Sequence, residues 1–460
     1  MYTQARLINK GLIMIDIKLL REHPELFREL VRIRNSDINV DELINIDQQL
    51  REQQQKTEAL QSELNNLSRQ KMIEEAKQVK EQLAQQEPIL KELQDKRKQI
   101  LDRVPNFLAP DTPVGESDAQ NLEVFRWGEQ PKFDFTPKTH EELGKKLGIL
   151  DIERGTKVSG SGFYYWVGDG ARLQNAAFRY VEDLLSERGF IPFKTPVVTK
   201  RDALYATGYF PFSQDETYCI NDSDMVLIGT SEQSLVPYRM NETIEESKLP
   251  LLYTAFTPCF RYEAGAAGRA TRGIFRVHQF HKQEQIVLCK PEESEYWNLV
   301  CQKNVEDIMQ GLEIPYRVVL VCTGDMGAPG FKKYDTEGWF AGFGEYRETH
   351  SNSNLIDYQA RRANIKFSGK NKGFVHTISS TALTDRALIA IIENNQTKEG
   401  YVKIPKALQK YMNGQTEIRP VQHKDVKHIN VSYLKDRLNG LQYESIGDNN
   451  PETLAFFKKL

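Results

Sequence analysis

Residues 257–284 read TPCFRYEAGAAGRATRGIFRVHQFHKQE, in which two runs with strand character, 257–263 and 274–283, flank a loop rich in Gly, Ala and Arg. Because side chains on a strand alternate between its faces, Arg261 and Glu263 share one face. In the second run the same alternation groups Arg276, His278, Phe280, Lys282 and Glu284. A one-faced hairpin of arginines, an aromatic ring and carboxylates suits a ligand with phosphates, a flat base and an ammonium group. The alternative is a solvated polar face.

The composition of the chain excludes several broad classes of protein. At 460 residues it is long enough for two or three domains, and it has no apolar run that could span a bilayer. The net charge of −3 means that a nucleic-acid partner would need a local basic surface. Five dispersed cysteines without a CxxC pair indicate free thiols in a reducing compartment. His278 and His281 fall on opposite faces of a strand, which argues against zinc.

The first thirteen residues, MYTQARLINKGLI, carry Arg6 and Lys10 and no acidic residue, as a weak organellar presequence would. They are short, they include no long Ser- and Arg-rich amphipathic stretch, and Met14 provides a second candidate start. We therefore expect a cytoplasmic protein.

Two long helical patterns follow, and both repeat apolar residues at alternating spacings of three and four. This spacing is the seam of a left-handed coiled coil, and it predicts an antiparallel two-helix arm over about 38–104, on the order of 40 Å long. The mixed charges on its surface leave two interpretations open, a solvated or dimer-forming face and a surface that contacts an RNA backbone. The seam residues are Leu43, Ile46, Leu50, Leu60, Leu64 and Leu67, then Val79, Leu83, Leu90, Leu93, Ile100 and Val104.

Beyond the arm the sequence predicts a linker, a large domain and a tail. Residues 106–137 are rich in Pro, Asp and Gly, which is typical of a linker. Short strands and helices then alternate irregularly, without a GxxxxGK[ST] loop, so we expect an α+β domain with a mostly antiparallel sheet whose arginines hold phosphates. The expected domains are 1–105, 106–414 and 415–460, the last with a small strand–helix element near 429–438.

Several motifs in one order resemble the seryl-tRNA synthetases, a family of class II aminoacyl-tRNA synthetases. RGFIPFKTPVV at 188–198 is similar to motif 1, with its proline at Pro196, the hairpin at 257–284 to motif 2, and FVHTISSTALTDRALIAIIENNQ at 374–396 to motif 3. GTSEQ at 229–233, CTGDMG at 322–327 and YRETHSNSNLIDYQARR at 346–362 resemble further family segments. The resemblance extends from Met14 to Gly414.

This resemblance implies a class II antiparallel sheet flanked by helices, with a tRNA-binding arm in front of it. It also implies ATP-dependent activation of L-serine, transfer to the 3′ end of tRNA(Ser), Mg²⁺ as cofactor, and a homodimer formed through motif 1 around Pro196. Arg261 and Arg386 correspond to the catalytic arginines, and Glu348 with Ser351 to the metal-placing pair. The residues implied for ATP are Arg261, Glu263, Arg276, Val277, Phe280, Glu348, Ser351 and Arg386, and those implied for serine are Thr230, Glu232, Arg261, Glu284, Ser379 and Thr381.

Four features depart from the family pattern. Ser379 replaces an asparagine in a motif 3 segment that is one residue short, His350 stands where a small hydroxyl residue is usual, the arm is short and the tail is long. The first two adjoin the expected amino-acid site, so they raise an alternative: a paralogue that activates another small amino acid or loads a carrier other than tRNA. A third class is a non-catalytic RNA-binding or coiled-coil protein, which the intact set Arg261, Glu263, Arg276, Phe280 and Arg386 opposes.

Overall fold

The structure is a computed structural model that describes residues 17–263, 273–420 and 432. The chain divides into two compact units, 1–420 and 421–460, and every element below belongs to the first. The N-terminal thirteen residues lie outside the described residues, as does all but Ser432 of the small element predicted near 429–438.

Thirteen α-helices are assigned within the described residues. Four of them precede the large domain: α1 (Ile17–Glu22), α2 (Pro24–Ile33), α3 (Val40–Gln70) and α4 (Ile73–Leu101). The other nine are α5 (His140–Leu147), α6 (Ile152–Ser159), α7 (Asp169–Glu187), α8 (Arg201–Thr207), α9 (Glu232–Leu235), α10 (Ser294–Gly311), α11 (Tyr358–Ala363), α12 (Asp385–Asn394) and α13 (Lys406–Gln409). Single 3-10 turns occur at Asp118–Gln120, Pro237–Arg239, Glu246–Lys248, Pro291–Glu293 and Lys410–Met412.

Seventeen strands are assigned within the same residues. The eight that form the main sheet are β1 (Leu122–Trp127), β4 (Ile191–Phe193), β8 (Leu251–Phe260), β9 (Gln279–Cys289), β10 (Tyr316–Leu320), β11 (Lys332–Phe340), β12 (Glu345–Ile356) and β15 (His376–Thr384). Smaller sheets contain β2 (Leu150–Asp151), β3 (Tyr165–Trp166), β5 (Val198–Lys200), β6 (Met225–Leu227), β7 (Thr243–Glu245), β13 (Lys366–Ser368), β14 (Lys372–Phe374), β16 (Val402–Lys403) and β17 (Glu417–Ile418).

The main sheet has the order β1-β10-β11-β12-β15-β9-β8-β4. All neighbouring strands are antiparallel except β4, which pairs in parallel with β8 at one edge. One apolar core joins this sheet to α7, α10 and α12, and it includes Val181, Ile308 and Leu388, which are fully or almost fully buried. The predicted α+β class with an antiparallel sheet flanked by helices is therefore confirmed. Within the described residues, no helix combines the length and the hydropathy that a membrane span requires.

Helices α3 and α4 fold back on each other as an antiparallel hairpin, hereafter the arm. The polar residues that interrupt its apolar seam pair across the hairpin. Gln53 Nε2 donates to Gln86 Oε1 at 2.9 Å, and Arg97 Nη1 donates to the buried carboxylate of Asp47 at 3.0 Å. Helix α4 continues through Pro88. The predicted two-helix arm is present, and its register is fixed by these polar pairs as well as by the leucines.

The predicted linker at 106–137 contains an edge strand of the main sheet. Its first residues, 106–109, are buried, and Leu122–Trp127 forms strand β1, which pairs with β10 at the sheet edge. The linker prediction was wrong here because it weighed the Pro, Asp and Gly content of the whole segment. Six residues of strand-forming LEVFRW within it are enough to add an edge strand.

Candidate active site

A cavity of about 590 Å³ opens on the main sheet and is bounded by two loops, 207–213 and 325–330, and by the start of α12. Twelve of the thirteen residues singled out from the sequence line it. The thirteenth, Thr230, is buried behind the cavity and hydrogen-bonds to Glu284. The twelve are Glu232, Arg261, Glu263, Arg276, Val277, Phe280, Glu284, Glu348, Ser351, Ser379, Thr381 and Arg386.

The hairpin at 257–284 is built differently from the alternation that predicted its polar face. The strands are Leu251–Phe260 and Gln279–Cys289, so Arg261, Glu263 and Arg276 all lie in the connecting segments. Glu263 has a left-handed backbone, with φ of 51°, and its carboxylate forms an ion pair with Arg276. Strand parity was therefore the wrong reason for pairing Arg261 with Glu263 and for placing Arg276 with the residues of β9. It holds only within β9, where Phe280 and Glu284 both face the cavity.

His278 does not share the cavity face with Arg276 as predicted. Its ring stacks on Phe163 with centroids 5.5 Å apart, and Nδ1 donates to the carbonyl oxygen of Arg261 at 3.0 Å. His281 lies elsewhere, stacked on Phe256 at 5.6 Å. The first histidine thus braces the backbone at Arg261, whose guanidinium lies 5.3 Å from the centre of the Phe280 ring. An arginine beside an aromatic face offers a phosphate contact next to a stacking surface for a base.

At one end of the cavity two buried carboxylates stand close together. Glu284 Oε1 accepts a hydrogen bond from Thr230 Oγ1 at 2.9 Å and forms an ion pair with Lys282, whereas Glu284 Oε2 has no hydrogen-bond partner among the described residues. Both oxygens of Glu232 are occupied, by Gln359 Nε2 at 2.5 Å and by the Tyr209 hydroxyl at 2.9 Å.

Burial, and after it the charge of Glu284, raises the pKa of Glu232, while Lys282 acts to lower it. Glu284 is a buried carboxylate with one oxygen free to accept a hydrogen bond, and Lys282 beside it compensates its charge. Such a carboxylate fits a small ligand that brings hydroxyl or ammonium donors.

At the other end Arg386, in the first turn of α12, is fixed against Glu348. Arg386 Nη1 donates to both the carbonyl oxygen and the Oε2 of Glu348 at 3.0 Å, and its guanidinium lies 4.4 Å from the Phe275 ring centre. Burial acts to raise the pKa of Glu348, but Arg386 and Lys333 outweigh it and lower the pKa to about 2. The carboxylate is thus ionised. With the hydroxyl of Ser351 in the same cavity, it supplies the hard oxygen ligands that Mg²⁺ prefers.

The two departures that adjoin the expected amino-acid site, Ser379 and His350, lie in different places. Ser379 lines the cavity, paired with Ser353 of β12 and Ile286 of β9. His350 does not line it. Its Nε2 donates at 3.1 Å to the carbonyl oxygen of Ala382, the residue at which the β15–β9 pairing skips.

This skip is a β-bulge between Thr381, which faces Glu284 across the strands, and Leu383. It keeps Thr381 at the cavity despite the short motif 3, and His350 fills the space behind it.

Among the cavity residues missing from the sequence-derived set are Lys282, Tyr209 and Lys333. The alternation in β9 did place Lys282 on the same face as Phe280 and Glu284, but the sequence analysis assigned no function to it. Tyr209 lies in a loop and carried no pattern. Lys333 and Asp335 share one face of β11 by the same alternation, and Lys333 Nζ donates to Asp335 at 2.9 Å, but the sequence analysis gave this pair no role.

The sheet, its arginine-bearing hairpin and the arginine at the start of the following helix define the core of a class II aminoacyl-tRNA synthetase. Residues 216–395 match the family described as tRNA synthetase class II core domain (G, H, P, S and T), and residues 14–108 match the seryl-tRNA synthetase N-terminal domain. The chain belongs to the seryl-tRNA synthetase family.

Individual relatives agree with this assignment. A serine–tRNA ligase of Dictyoglomus turgidum is 42% identical over 428 residues, which cover 88% of this chain and 100% of that protein. One from Thermococcus onnurineus is 40% identical over 452 residues, with 90% and 98% covered. The crystal structure of seryl-tRNA synthetase from Pyrococcus horikoshii complexed with ATP superposes with a TM-score of 0.82 at 37% identity, covering 89% of this chain and 100% of that one.

Proposed function

We propose that this protein is an ATP-dependent serine–tRNA ligase, which activates L-serine to seryl-adenylate and transfers the seryl group to the 3′ end of tRNA(Ser). The observation that carries the proposal is the pairing, in one cavity, of Arg261 beside the Phe280 ring with Glu284, whose Oε2 lacks a partner among the described residues. The arginine beside the aromatic ring suits an adenine nucleotide, and the carboxylate of Glu284 suits the hydroxyl or ammonium group of serine. Family membership supports the same activity.

In the first step the serine carboxylate attacks the α-phosphorus of ATP, a P–O bond to the β-phosphate breaks, and pyrophosphate leaves. Arg261 holds the α-phosphate, Phe280 stacks on adenine, Glu263 accepts from the adenine amino group with Val277 beside it, and Arg276 and Arg386 neutralise the leaving phosphates. The protein contributes position and positive charge rather than a nucleophile. Mg²⁺ held by Glu348 and Ser351 would screen phosphate charge.

In the second step a 3′-terminal ribose hydroxyl of the tRNA attacks the mixed anhydride and releases AMP. Serine is selected by Thr230, Glu232, Glu284, Ser379 and Thr381, with Arg261 on its carboxylate. Because alanine lacks the hydroxyl that Glu284 would receive, binding alanine leaves a buried acceptor unpaired. Sites of this kind discriminate by ~10⁴ or more.

The remaining assignments concern the rest of the chain. Residues 1–105 form the domain whose arm, about 38–104, contacts tRNA(Ser), residues 106–414 form the catalytic domain, and 415–460 are an extension. A homodimer forms through motif 1 around Pro196. It is supported by the position of β4 at an open sheet edge, where Ile191 is 54% exposed. The protein acts in the cytoplasm.

The test is amino-acid-dependent exchange of pyrophosphate into ATP with serine, alanine, glycine, threonine and cysteine. Exchange is expected to be strongest with serine and to be abolished by Arg261→Ala, while Arg32→Met, at an exposed arginine of α2, leaves it unchanged. Exchange with none of the five amino acids would overturn the proposal that the protein is an enzyme of this class. A preference for alanine or glycine would select the paralogue that activates another small amino acid. Exchange with serine but no charging of tRNA(Ser) would select a carrier other than tRNA.

A further inference from the structure

The cavity wall 325–330 is held in place from outside the cavity. This segment connects β10 to β11 without regular secondary structure of its own, and all six of its residues line the cavity. Three consecutive carbonyl oxygens of the wall, at 327–329, accept hydrogen bonds from residues next to the arm. Arg34 Nη2 donates to the first at 2.6 Å, and the backbone N and Nδ2 of Asn106 donate to the second and third at 2.8 Å each.

The two donors sit at the two ends of the arm. Arg34 follows α2 a few residues before the arm begins, and Asn106 follows the arm a few residues after α4 ends. Both are buried, and Asn106 is completely inaccessible. Nδ2 of Asn106 donates a further hydrogen bond, at 2.9 Å, to the carbonyl oxygen of Leu355, which also lines the cavity. One amide thus ties two parts of the cavity lining together.

Apolar packing reinforces the same junction. Met326 of the wall is buried against Leu108 and Ile33. Phe331, next to the wall, and Tyr358 are buried in the core formed by α1, α2 and the base of the arm. The wall therefore has a packed backing, and its backbone position is set by partners that take no part in lining the cavity.

The wall adjoins the end of the cavity that holds Glu232. Pro329 packs so closely on Gly208 that a Cβ at Gly208 would lie 3.0 Å from Pro329 Cγ. Tyr209, the next residue along the chain from Gly208, donates its hydroxyl hydrogen bond to Glu232 at 2.9 Å. A displacement of the wall at Pro329 would therefore widen the cavity at its amino-acid end.

We propose that Arg34 and Asn106 are positioning residues that fix the size of the amino-acid subsite by holding the cavity wall 325–330. The inference rests on the proposed function, because it takes that end of the cavity to bind serine. Removing Arg34 leaves the carbonyl oxygen of Gly327 with only the backbone N–H of Gly330 as donor. Removing the Asn106 amide takes a donor from the carbonyl oxygens of Pro329 and Leu355, the second of which is a buried contact, so the wall loses its side-chain anchors and shifts. A looser wall binds serine less tightly and admits a larger side chain.

The experiment compares Arg34→Met and Asn106→Ala with the wild-type chain in pyrophosphate exchange, measuring KM for serine and for ATP and the kcat/KM ratio of serine to threonine. Each variant is expected to raise KM for serine about tenfold with KM for ATP and kcat within about twofold, and to lower the serine-to-threonine ratio several-fold. Arg34→Lys, which keeps one donor, is expected to lie between. Arg32→Met, at an exposed arginine in the last turn of the preceding helix α2, is the matched control.

The outcomes separate the inference from the proposed function. Wild-type values of KM and of the serine-to-threonine ratio in a variant that retains its thermal midpoint would overturn the positioning role. So would an equal rise of both KM values together with a fall in kcat, since that is the effect of general destabilisation. If Arg34→Met does not fold, Asn106→Ala and Arg34→Lys decide the question. Absence of serine exchange in the wild type would overturn the proposed function instead.

Discussion

Thr230 donates its hydroxyl hydrogen to Oε1 of Glu284 at 2.9 Å, and the other oxygen of that buried carboxylate has no partner among the described residues. Thr230 and Lys282 both act on Oε1, so the carboxylate is held by one oxygen. A buried acceptor without a partner costs stability unless a ligand satisfies it. The geometry therefore suggests that the free oxygen is kept for a donor of the substrate.

Glu284→Gln tests this relationship. The amide keeps the volume of the side chain but loses the charge, and it presents a donor where the substrate needs an acceptor. Loss of a hydrogen bond to a charged group costs about 1.5–3 kcal/mol, so kcat/KM for serine in pyrophosphate exchange is expected to fall by roughly 10–100-fold. KM for ATP should not change.

Glu292→Gln, at an exposed carboxylate beside the end of β9, is the control and should match the wild type. An unchanged kcat/KM for serine in Glu284→Gln would show that the carboxylate does not contact the amino acid.

Lys282 is expected to favour the ionised form of Glu232 beside the neighbouring carboxylate of Glu284. Its ammonium pairs with Glu284 and acts to lower the pKa of Glu232, which burial and the charge of Glu284 raise. In Lys282→Met the two carboxylates face each other without that cation, so the pKa of Glu232 rises further. KM for serine should rise several-fold at pH 6.5 and recover towards pH 8.5, because the raised pKa is titrated as the pH rises.

Lys282→Arg retains the charge and should show a flatter pH profile than Lys282→Met. Lys303→Met, at an exposed lysine of α10, should reproduce the wild-type profile. A pH-independent KM in Lys282→Met would contradict the electrostatic role.

The sequence was most informative where the spacing of nearby residues determines the structure. The arm followed from the spacing of its leucines, and the antiparallel domain followed from irregular short elements without a phosphate loop. The LEVFRW run of β1 was a local strand signal that the composition of 106–137 obscured, but its pairing with β10, about 190 residues further along the chain, could not be recognised. Pairing between strands so far apart in the sequence depends on the assembly of the whole sheet and not on the residues of one strand.

The site shows the same division between local and distant information. Most of its residues were found through family motifs. The strand parity that paired Arg261 with Glu263 and placed Arg276 on the face of β9 proved wrong, since these residues lie outside the strands. His350 is a mixed case. Alternation along β12 already places its ring opposite Thr349 and Ser351, which line the cavity, but its partner, the carbonyl oxygen of Ala382 at a bulge, could not be predicted from the sequence. Bulges break the alternation on which such predictions depend.

His350 makes the stability of the fold depend on pH. Burial lowers the pKa of His350 to about 4, despite the hydrogen bond to the Ala382 carbonyl, which acts to raise it. The unfolded chain binds a proton with a pKa near 6.5, so stability is fully present above that value and is lost as the pH falls towards 4. His350→Gln removes this dependence, and its loss of unfolding free energy between pH 7.5 and 5 should be smaller by about 2 kcal/mol.

Urea unfolding at the two pH values measures this difference, and His23→Gln, at a histidine near the surface, should retain the wild-type difference.

The His350→Gln variant also tests specificity. Because His350 does not line the cavity, His350→Gln should leave the preference for serine over alanine unchanged, and a shifted preference would place the histidine in the amino-acid site.

The last prediction separates the outer part of the arm from its base. Removing 38–104 entirely would take Val40, Leu43 and Val104 out of the core that packs on Phe331 and Tyr358, and would thereby disturb the cavity wall. Replacing only residues 54–85 by a short glycine turn keeps the Gln53–Gln86 hydrogen bond as the new end of the hairpin. Serine-dependent exchange is expected to stay within about twofold of wild type, while charging of tRNA(Ser) falls at least 100-fold, because the phosphate contacts that supply most of the affinity are lost.

Both activities are measured on the same preparation, and the thermal midpoint confirms that the base of the arm is intact. A parallel chain with Gln53→Ala in the full-length arm serves as the control for damage at the new end, and it should charge tRNA(Ser) normally. Retained charging in the shortened chain would assign tRNA binding to another surface. A parallel loss of exchange and charging would mean that the outer arm supports the fold rather than the RNA.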